Sequence, residues 1–175
     1  MRGNQRLAAI KHSTSPMAQA LPLMPEGETV MIRLIRATMA SMGQFFEPVF
    51  REIGLSESAF HVLCLLVADE GGRLSPSDLS DLVGTSRANM TKIIEGLVAE
   101  GRVVRRAVEH DGRRQVIEIT EAGRQTATNA VPAVAGPLRR SFSGLSAEEF
   151  AQLDALLRKT ILSFDQYALP LRASA

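Results

Sequence analysis

The sequence predicts a mainly α-helical fold with one small β-hairpin, and three observations lead to that prediction. Hydrophobic residues make up 45% of the 175 residues and aromatic residues only 5%, with no Trp, which is typical of helices packed through Leu, Val, Ala and Met. Apolar positions recur at helical spacing through most of the chain. Between residues 103 and 120 the pattern changes to two short β-rich runs around an Asp-Gly pair. A chain of this length forms one core and has helices left over for oligomerisation.

The first helices are predicted from their apolar faces and from the residues that begin and end them. One helix covers residues 28–53, where Pro48 is expected to kink it or start a new turn because proline lacks an N–H. Ser56 is a good N-cap for the next helix, which ends before the Gly-Gly-Arg segment at 71–73. Residues 1–27 are rich in Ser, Pro, Gln and Ala and are expected to form a flexible arm. The alternative is an ordered segment that wraps a dimer.

Two short helices joined at Gly84 form a helix-turn-helix pattern. Ser75 is predicted to cap the first, and Thr85 or Ser86 the second, which runs to about Gly101. The inward face of the second helix is expected to pack on the first, through Met90, Ile93, Ile94 and Leu97 against Leu79, Leu82 and Val83. Its other face is small and polar, as a helix in the major groove of DNA requires, although an ordinary solvated face has the same pattern. The candidate DNA-reading residues are Ser86, Arg87, Asn89, Thr91 and Lys92.

The predicted hairpin makes DNA binding the favoured interpretation. It carries five arginines between residues 102 and 114 against two acidic residues, although the net charge of the whole chain is only +1. Arginine forms charge-assisted bonds to phosphate, so a DNA-contacting wing is expected, with Asp111 shaping its tip. The alternative is a hairpin kept soluble by its charge. The candidate contacts are Arg105, Arg106, Asp111, Arg113 and Arg114.

The C-terminal part is predicted to be two helices. Thr120 caps the first, and Pro132, Gly136 and Pro137 are expected to bend or break it. Ser146 begins a capping box for the second, which carries an apolar stripe at Phe150, Leu153, Leu156, Leu157, Ile161 and Phe164. Because the helix-turn-helix already has its own core, this stripe and the first helix are expected to pair with a second copy in a twofold dimer.

Other classes of site and location are less favoured by the sequence. Three scattered histidines lack metal-ligand spacing, and no cofactor or phosphate-loop motif is visible, so neither an enzyme nor a metal site is expected. No apolar run approaches a membrane span or a signal peptide, and Cys64 is the only cysteine, so a cytoplasmic location is expected. Cys64 lies in an apolar run and is predicted to be a small core residue rather than a redox switch.

The chain resembles the MarR family of bacterial regulators. The similarity runs through GLSESAFHVLCLL (54–66), the segment 74–105, the D-x-R signature at 111–113, EITEAG (118–123) and GLSAEEFAQLDALLRK (144–159). It departs from the family pattern in having Gly112 inside the D-x-R signature and prolines in the helix after the wing.

The resemblance implies a winged helix-turn-helix dimer that binds a pseudo-palindromic DNA operator, most often as a repressor released by a small aromatic ligand. Candidate ligand contacts are Phe45, Phe46, Phe50 and His61, for which core packing is the alternative. A ligand- or partner-binding module that no longer recognises an operator is the second function considered. The expected organisation is a flexible arm (1–27), an N-terminal dimerisation helix (28–55), a DNA-binding domain (56–120), C-terminal dimerisation helices (121–168) and a tail (169–175).

Overall fold

Seven helices and a three-stranded antiparallel sheet make up the described part of the chain. The computed structural model describes residues 3–108 and 111–167, and of residues 108 and 111–114 the backbone only. In chain order the elements are α1 (Gly3–Ala20), α2 (Glu26–Glu52), α3 (Glu57–Ala68), β1 (Arg73–Leu74), α4 (Pro76–Val83), α5 (Arg87–Ala99), β2 (Val103–Val108), β3 (Asp111–Ile119), α6 (Glu121–Ser141) and α7 (Ala147–Gln166). The mainly helical fold with a β-hairpin is therefore confirmed.

The predicted helix starts are confirmed by their capping bonds. The side chains of Ser56, Ser75 and Ser86 each accept a hydrogen bond from the backbone N–H three residues on, as N-caps do. Gly84 ends α4 in the left-handed conformation, with φ of 71°, which costs glycine no Cβ clash. Ser146 and Glu149 complete the capping box of α7.

The sheet has the order β1-β3-β2, so the long strand β3 is central. β2 and β3 form the predicted hairpin, called the wing below, with a register shift between Ala107 and Val108. The Asp-Gly pair does not form its turn as predicted, because Asp111 already pairs with Val108 and Gly112 follows it in β3. The two-residue strand β1 pairs with Glu118 and Ile117 and was not predicted. It is too short for an alternating pattern, and its sequence signal was only that of a helix break.

The main core lies among α3, α4, α5 and the base of the wing. It includes the fully buried Leu63, Leu66, Leu79, Ile94 and Ile117. The prediction that Leu82 packs inward is wrong, since its side chain is 55% exposed. Viewed down the axis of α4 at 100° per residue, Leu79, Val83 and Ser80 lie side by side on the face that is turned to the core. Leu82 lies outside this face and therefore points toward solvent.

α6 was predicted to bend or break at its prolines, and the structure shows no break. The helix runs through Pro132 and Pro137 to Ser141, and α2 likewise continues through Pro48. A proline removes one backbone hydrogen bond, and the bonds of the turns on either side keep these long helices continuous. The chain divides into two compact units, Met1–Pro137 and Leu138–Ala175.

The first segment is a helix where the sequence predicted a flexible arm. α1 packs along α2 and is held mainly by polar bonds: Arg33 donates to Ser13 and Thr14, and Arg6 to Ser41 and Gln44. Only Ile10 and Thr14 of α1 are buried. Because so few apolar residues of α1 contact α2, the sequence of this segment has no amphipathic pattern from which the helix could be predicted.

Candidate nucleic-acid interface

The N-terminal half of α5 is an exposed polar surface. The helix begins beside the αL turn at Gly84, and its first turn contains no acidic residue, so the positive end of the helix dipole is unopposed. The predicted DNA-reading side chains at this end are all exposed: Ser86, Arg87, Asn89, Thr91 and Lys92. Met90, Ile94 and Leu97 anchor the opposite face in the core. Such a helix end is suited to binding anions and base edges.

Asn89 is held in one orientation by its neighbour. Its Nδ2 donates to Thr85 Oγ1 at 2.8 Å, while Ser86 Oγ accepts from the Asn89 backbone N–H at 3.2 Å. One amide N–H and the carbonyl oxygen of the Asn89 side chain remain available, and this is the donor–acceptor pair that matches the major-groove edge of adenine. The Thr91 hydroxyl donates to the carbonyl of Arg87 at 3.0 Å, which leaves its oxygen lone pairs and methyl group for a partner.

The two arginines of β2 are exposed on opposite faces of the wing. Arg105 pairs in register with the buried Ile117, and Arg106 pairs with Val116. Side chains alternate along a strand, so Arg105 leaves on the face that is buried at the wing base, and Arg106 leaves on the other. The two side chains therefore do not lie on the same face of the wing.

Glu118 holds two arginines on the outer face of the sheet. Its Oε2 lies 3.2 Å from Arg106 Nε and 3.3 Å from Arg73 Nε, so one carboxylate bridges strands β1 and β2. Partial desolvation acts to raise the pKa of Glu118, but the hydrogen bonds and charges of Arg73 and Arg106 outweigh it, and the pKa is lowered. Sequence analysis missed Glu118 and Arg73. The alternation of Glu118 with buried Ile117 and Ile119 was the signal for Glu118, whereas Arg73 needed the unpredicted strand β1.

The tip of the wing is described only in part. The backbones of Asp111 and residues 112–114 belong to β3. The side chains of Asp111, Arg113 and Arg114 lie outside the described residues, so their DNA contacts stay a prediction.

The four candidate ligand contacts are not gathered in one cleft. Phe46 and Phe50 are buried in a small cluster with Val134, whereas Phe45 and His61 are exposed. Phe50 lines a cleft of about 390 Å³ that also includes Leu55. Packing in the cluster accounts for the burial of Phe46, and a ligand role for the four residues stays a prediction.

Cys64 is half-buried, and desolvation by burial raises the pKa of its thiol. A protonated thiol is a poor nucleophile, which disfavours a redox role. Within residues 3–108 and 111–167, no group of three or more His, Cys, Asp or Glu side chains is placed to hold a metal ion. Nor is any helix of these residues long and apolar enough to cross a membrane.

A helix-turn-helix with an exposed polar helix end and an adjacent arginine-bearing hairpin defines the winged helix-turn-helix class of DNA-binding proteins. Comparison with known proteins agrees. The MarR family model matches residues 53–114. The transcriptional repressor MprA of Escherichia coli (strain K12) is 29% identical over 142 residues, which cover 81% of each chain.

Two solved structures share the fold. Sco3205, a MarR family transcriptional regulator from Streptomyces coelicolor in complex with DNA, has a TM-score of 0.73 at 17% identity and covers 85% of this chain and 93% of its own. Bordetella bronchiseptica BpsR, whose DNA binding is regulated by 6-hydroxynicotinic acid, has a TM-score of 0.67 at 24% identity, covering 74% and 97%. The segment 53–114 therefore matches the MarR family, and the chain as a whole is similar to transcriptional regulators that share this fold.

Proposed function

We propose that this chain represses transcription by binding a pseudo-palindromic double-stranded DNA operator as a homodimer in the cytoplasm, associated with the bacterial nucleoid. The observation that carries the proposal is the exposed N-terminal half of α5, with Asn89 already oriented by Thr85. Repression is inferred from the likeness to MprA, which is named as a repressor.

The DNA-binding domain is assigned to residues 56–120. In this proposal α5 enters the major groove and its N-terminal side chains contact base edges, while the wing contacts the phosphate backbone. The assigned base-side and cap contacts are Ser86, Arg87, Asn89, Thr91 and Lys92, and the wing contacts are Arg105, Arg106, Arg113 and Arg114, with Asp111 shaping the turn. Arg106 acts while paired with Glu118, because its Nη atoms remain available to a phosphate when Nε is bonded.

Dimerisation is assigned to residues 28–55 and 121–168. No residue of α7 is buried, and Leu156, Ile161 and Phe164 are each at least 60% exposed. Met31, Met39 and Phe45 of α2 are exposed as well. Exposing so many large apolar side chains to water is unfavourable in free energy, and packing against a second copy of the chain would bury them.

A small aromatic effector is proposed to release the operator. The support is the cleft of about 390 Å³ lined by Phe50 and Leu55, and the regulation of BpsR by 6-hydroxynicotinic acid. Titration of a fluorescent operator complex with a panel of aromatic acids tests this proposal. If no compound dissociates the complex while each stays soluble, an aromatic effector is excluded for that panel.

The decisive experiment compares two asparagines. Asn89→Ala should weaken binding to the upstream region of the regulator's own gene by about 1–3 kcal/mol, and weaken random DNA much less, because it removes a bidentate base contact. Asn129→Ala is the matched control. Asn129 is also exposed and also bonded to a residue four positions away, Gln125 at 2.7 Å, but it lies in α6.

The affinities are measured by fluorescence anisotropy at fixed salt. Equal losses on operator and random DNA would show that Asn89 touches only phosphate. If the wild type bound no tested DNA better than random sequence, a ligand- or partner-binding module without an operator would replace the proposal.

A further inference from the structure

Thr85 lies in the turn between α4 and α5 and contacts the side chain of a proposed base-reading residue. Its Oγ1 accepts a hydrogen bond from Asn89 Nδ2 at 2.8 Å, and Asn89 lies in the first turn of α5. We propose that Thr85 is a positioning residue, which orients the Asn89 amide to bind an adenine in each half-site of the operator. Since Asn89 is assigned above to base contacts, this role of Thr85 rests on the proposed function.

Thr85 is itself held in place by the turn. Its backbone N–H donates to the Ser80 carbonyl at 3.0 Å, and Ser80 is almost fully buried, so the turn is tied to the core. Gly84, the residue before it, ends α4 in the left-handed conformation. Threonine is β-branched and has few χ1 rotamers, so a fixed backbone leaves its hydroxyl little freedom. The acceptor of the Asn89 bond therefore has a defined position before DNA binds.

The bond to Thr85 also determines which base fits Asn89. It occupies one N–H of the amide, so the side chain presents one N–H and the Oδ1 oxygen to DNA. In the major groove adenine offers one acceptor and one donor, N7 and the N6 amino group, whereas guanine offers two acceptors, N7 and O6. An amide with both N–H groups free can donate to guanine twice, and the bond to Thr85 removes one of these donors. The tethered amide therefore favours adenine over guanine.

Two other serine-capped helices carry a different residue at the position of Asn89. The third residue after the cap is Asp78 in α4 and Glu149 in α7, and each carboxylate accepts a bond from its cap residue, Ser75 or Ser146. In α5 this position holds an uncharged amide, which bonds instead to the residue before the cap. A carboxylate there would repel the phosphates of DNA, whereas the amide has no charge and keeps an edge free for a base.

Orienting the amide before binding reduces the conformational entropy that is lost when DNA binds. A side chain that must be immobilised on binding weakens the affinity by about twofold to tenfold. Because a dimer reads two half-sites, removal of the Thr85 hydroxyl should weaken operator binding by about tenfold in total. Binding to random DNA should weaken by less than about twofold, since phosphate contacts supply most of that affinity.

The first experiment measures affinity by fluorescence anisotropy at fixed salt, for the upstream region of the regulator's own gene and for random DNA. Thr85→Val removes the hydroxyl at nearly constant volume and should show the tenfold loss on the upstream region only. Thr85→Ser keeps the hydroxyl and should restore most of the affinity. Thr128→Val is the matched control and should bind like the wild type, because Thr128 is an exposed threonine of α6 whose hydroxyl bonds four residues away, to the Arg124 carbonyl.

The second experiment tests whether Thr85 acts through Asn89 and adenine. Thr85→Val should cause no further loss in an Asn89→Ala background, because the side chain that it positions is absent. In the upstream region each adenine is replaced in turn by 7-deazaadenine, which lacks the N7 acceptor. At one symmetric pair of positions this should weaken the wild type by about tenfold and leave Asn89→Ala unchanged. Guanine at these positions should be rejected less strongly by Thr85→Val than by the wild type.

Four results would overturn the role of Thr85 while the wild type still prefers the upstream region to random DNA. They are wild-type affinity in Thr85→Val, an equal loss in Thr85→Ser, equal losses on both DNAs, and no adenine at which 7-deazaadenine distinguishes the wild type from Asn89→Ala. Thr85→Ala supplies the same comparison if circular dichroism shows that valine unfolds the protein. A wild type without any preference for the upstream region would overturn the proposed function, and the role of Thr85 with it.

Discussion

Gly123 is the position where the start of α6 lies closest to the base of the wing, and replacing it tests how the wing is held. A Cβ built on Gly123 would lie 2.1 Å from the backbone oxygen of Arg102 and 2.9 Å from Ile119 Cγ1. The first neighbour is a carbonyl at the start of the wing, not the end of a flexible side chain. Gly123→Ala should therefore force α6 and the turn before β2 apart by more than about 1 Å.

The size of the effect follows from the bonds at that contact. The Arg102 oxygen accepts from the Thr120 N–H at 3.1 Å, whereas the single proton of the Thr120 hydroxyl is shared between the oxygens of Gly101 at 2.8 Å and Arg102 at 3.0 Å. A displacement of this size stretches the N–H bond beyond hydrogen-bonding distance, at roughly 1 kcal/mol, while the hydroxyl keeps Gly101 as its acceptor. Overpacking adds roughly 1–3 kcal/mol. We expect Gly123→Ala to lower the free energy of unfolding by about 2–4 kcal/mol.

Gly96 provides a control with the same substitution. It lies inside α5, and a Cβ there meets nothing within 4 Å. Gly96→Ala should raise the free energy of unfolding by up to about 1 kcal/mol, because alanine has the higher helix propensity. Urea denaturation followed by circular dichroism measures both variants. If Gly123→Ala proved as stable as Gly96→Ala, the close contact between α6 and the wing would not exist as described.

Two further predictions concern the wing and the dimer. Glu118→Gln should free Arg73 and Arg106, and should therefore raise the affinity for random DNA and make that affinity fall more steeply with salt. Because the pKa of Glu118 is lowered, the pairing of its carboxylate stabilises the fold at neutral pH, and this stabilisation is lost as the pH falls below the ordinary range of a glutamate. The melting temperature of the wild type should therefore fall more than that of the variant between neutral pH and about pH 3. A variant with the same acid sensitivity as the wild type would contradict this. Sedimentation of the wild type at micromolar concentration should show twice the 19.0 kDa chain mass. Ile161→Glu should shift the protein to monomer. Gln152→Glu adds the same charge on the opposite side of α7 and should leave the dimer intact. A wild type that sediments as a monomer would exclude the palindromic mode of binding.

Local signals in the sequence were sufficient for most of the DNA-binding elements. Serine N-caps and Gly84 act within a few residues, so α3, α4 and α5 were predicted close to their observed bounds. The β-rich runs predicted the wing, but the prediction that Asp111 and Gly112 form its turn is wrong, since both belong to strand β3. The predictions fail where contacts between residues far apart in the sequence determine the local structure. α1 depends on bonds to α2 across more than 15 residues, and β1 exists because β3 offers it an edge.

The same distinction applies to the candidate site. The exposure of the α5 side chains followed from helical periodicity alone. The pairing of Arg106 did not, because it required knowing that Glu118 faces the same side of the sheet and that Arg73 joins it from β1. Sequence analysis therefore counted Arg106 as a free positive charge, whereas the structure gives it an internal partner.

The wing is anchored by backbone groups at its base, and its folding stability therefore depends on other atoms than its proposed DNA contacts do. The Arg102 carbonyl accepts two bonds from Thr120, whose hydroxyl also accepts from the Gly123 N–H at 3.1 Å, and the Ile119 N–H donates to the Gly72 carbonyl at 3.0 Å. Most of these partners are main-chain atoms at the base of the hairpin, whereas the arginines lie farther along its strands. Changes at distant sites add nearly independently. Substitution of an arginine near the tip should therefore alter DNA affinity at nearly constant folding stability, whereas substitution at the base should alter both, and this difference allows the DNA contacts of the wing to vary without loss of the fold.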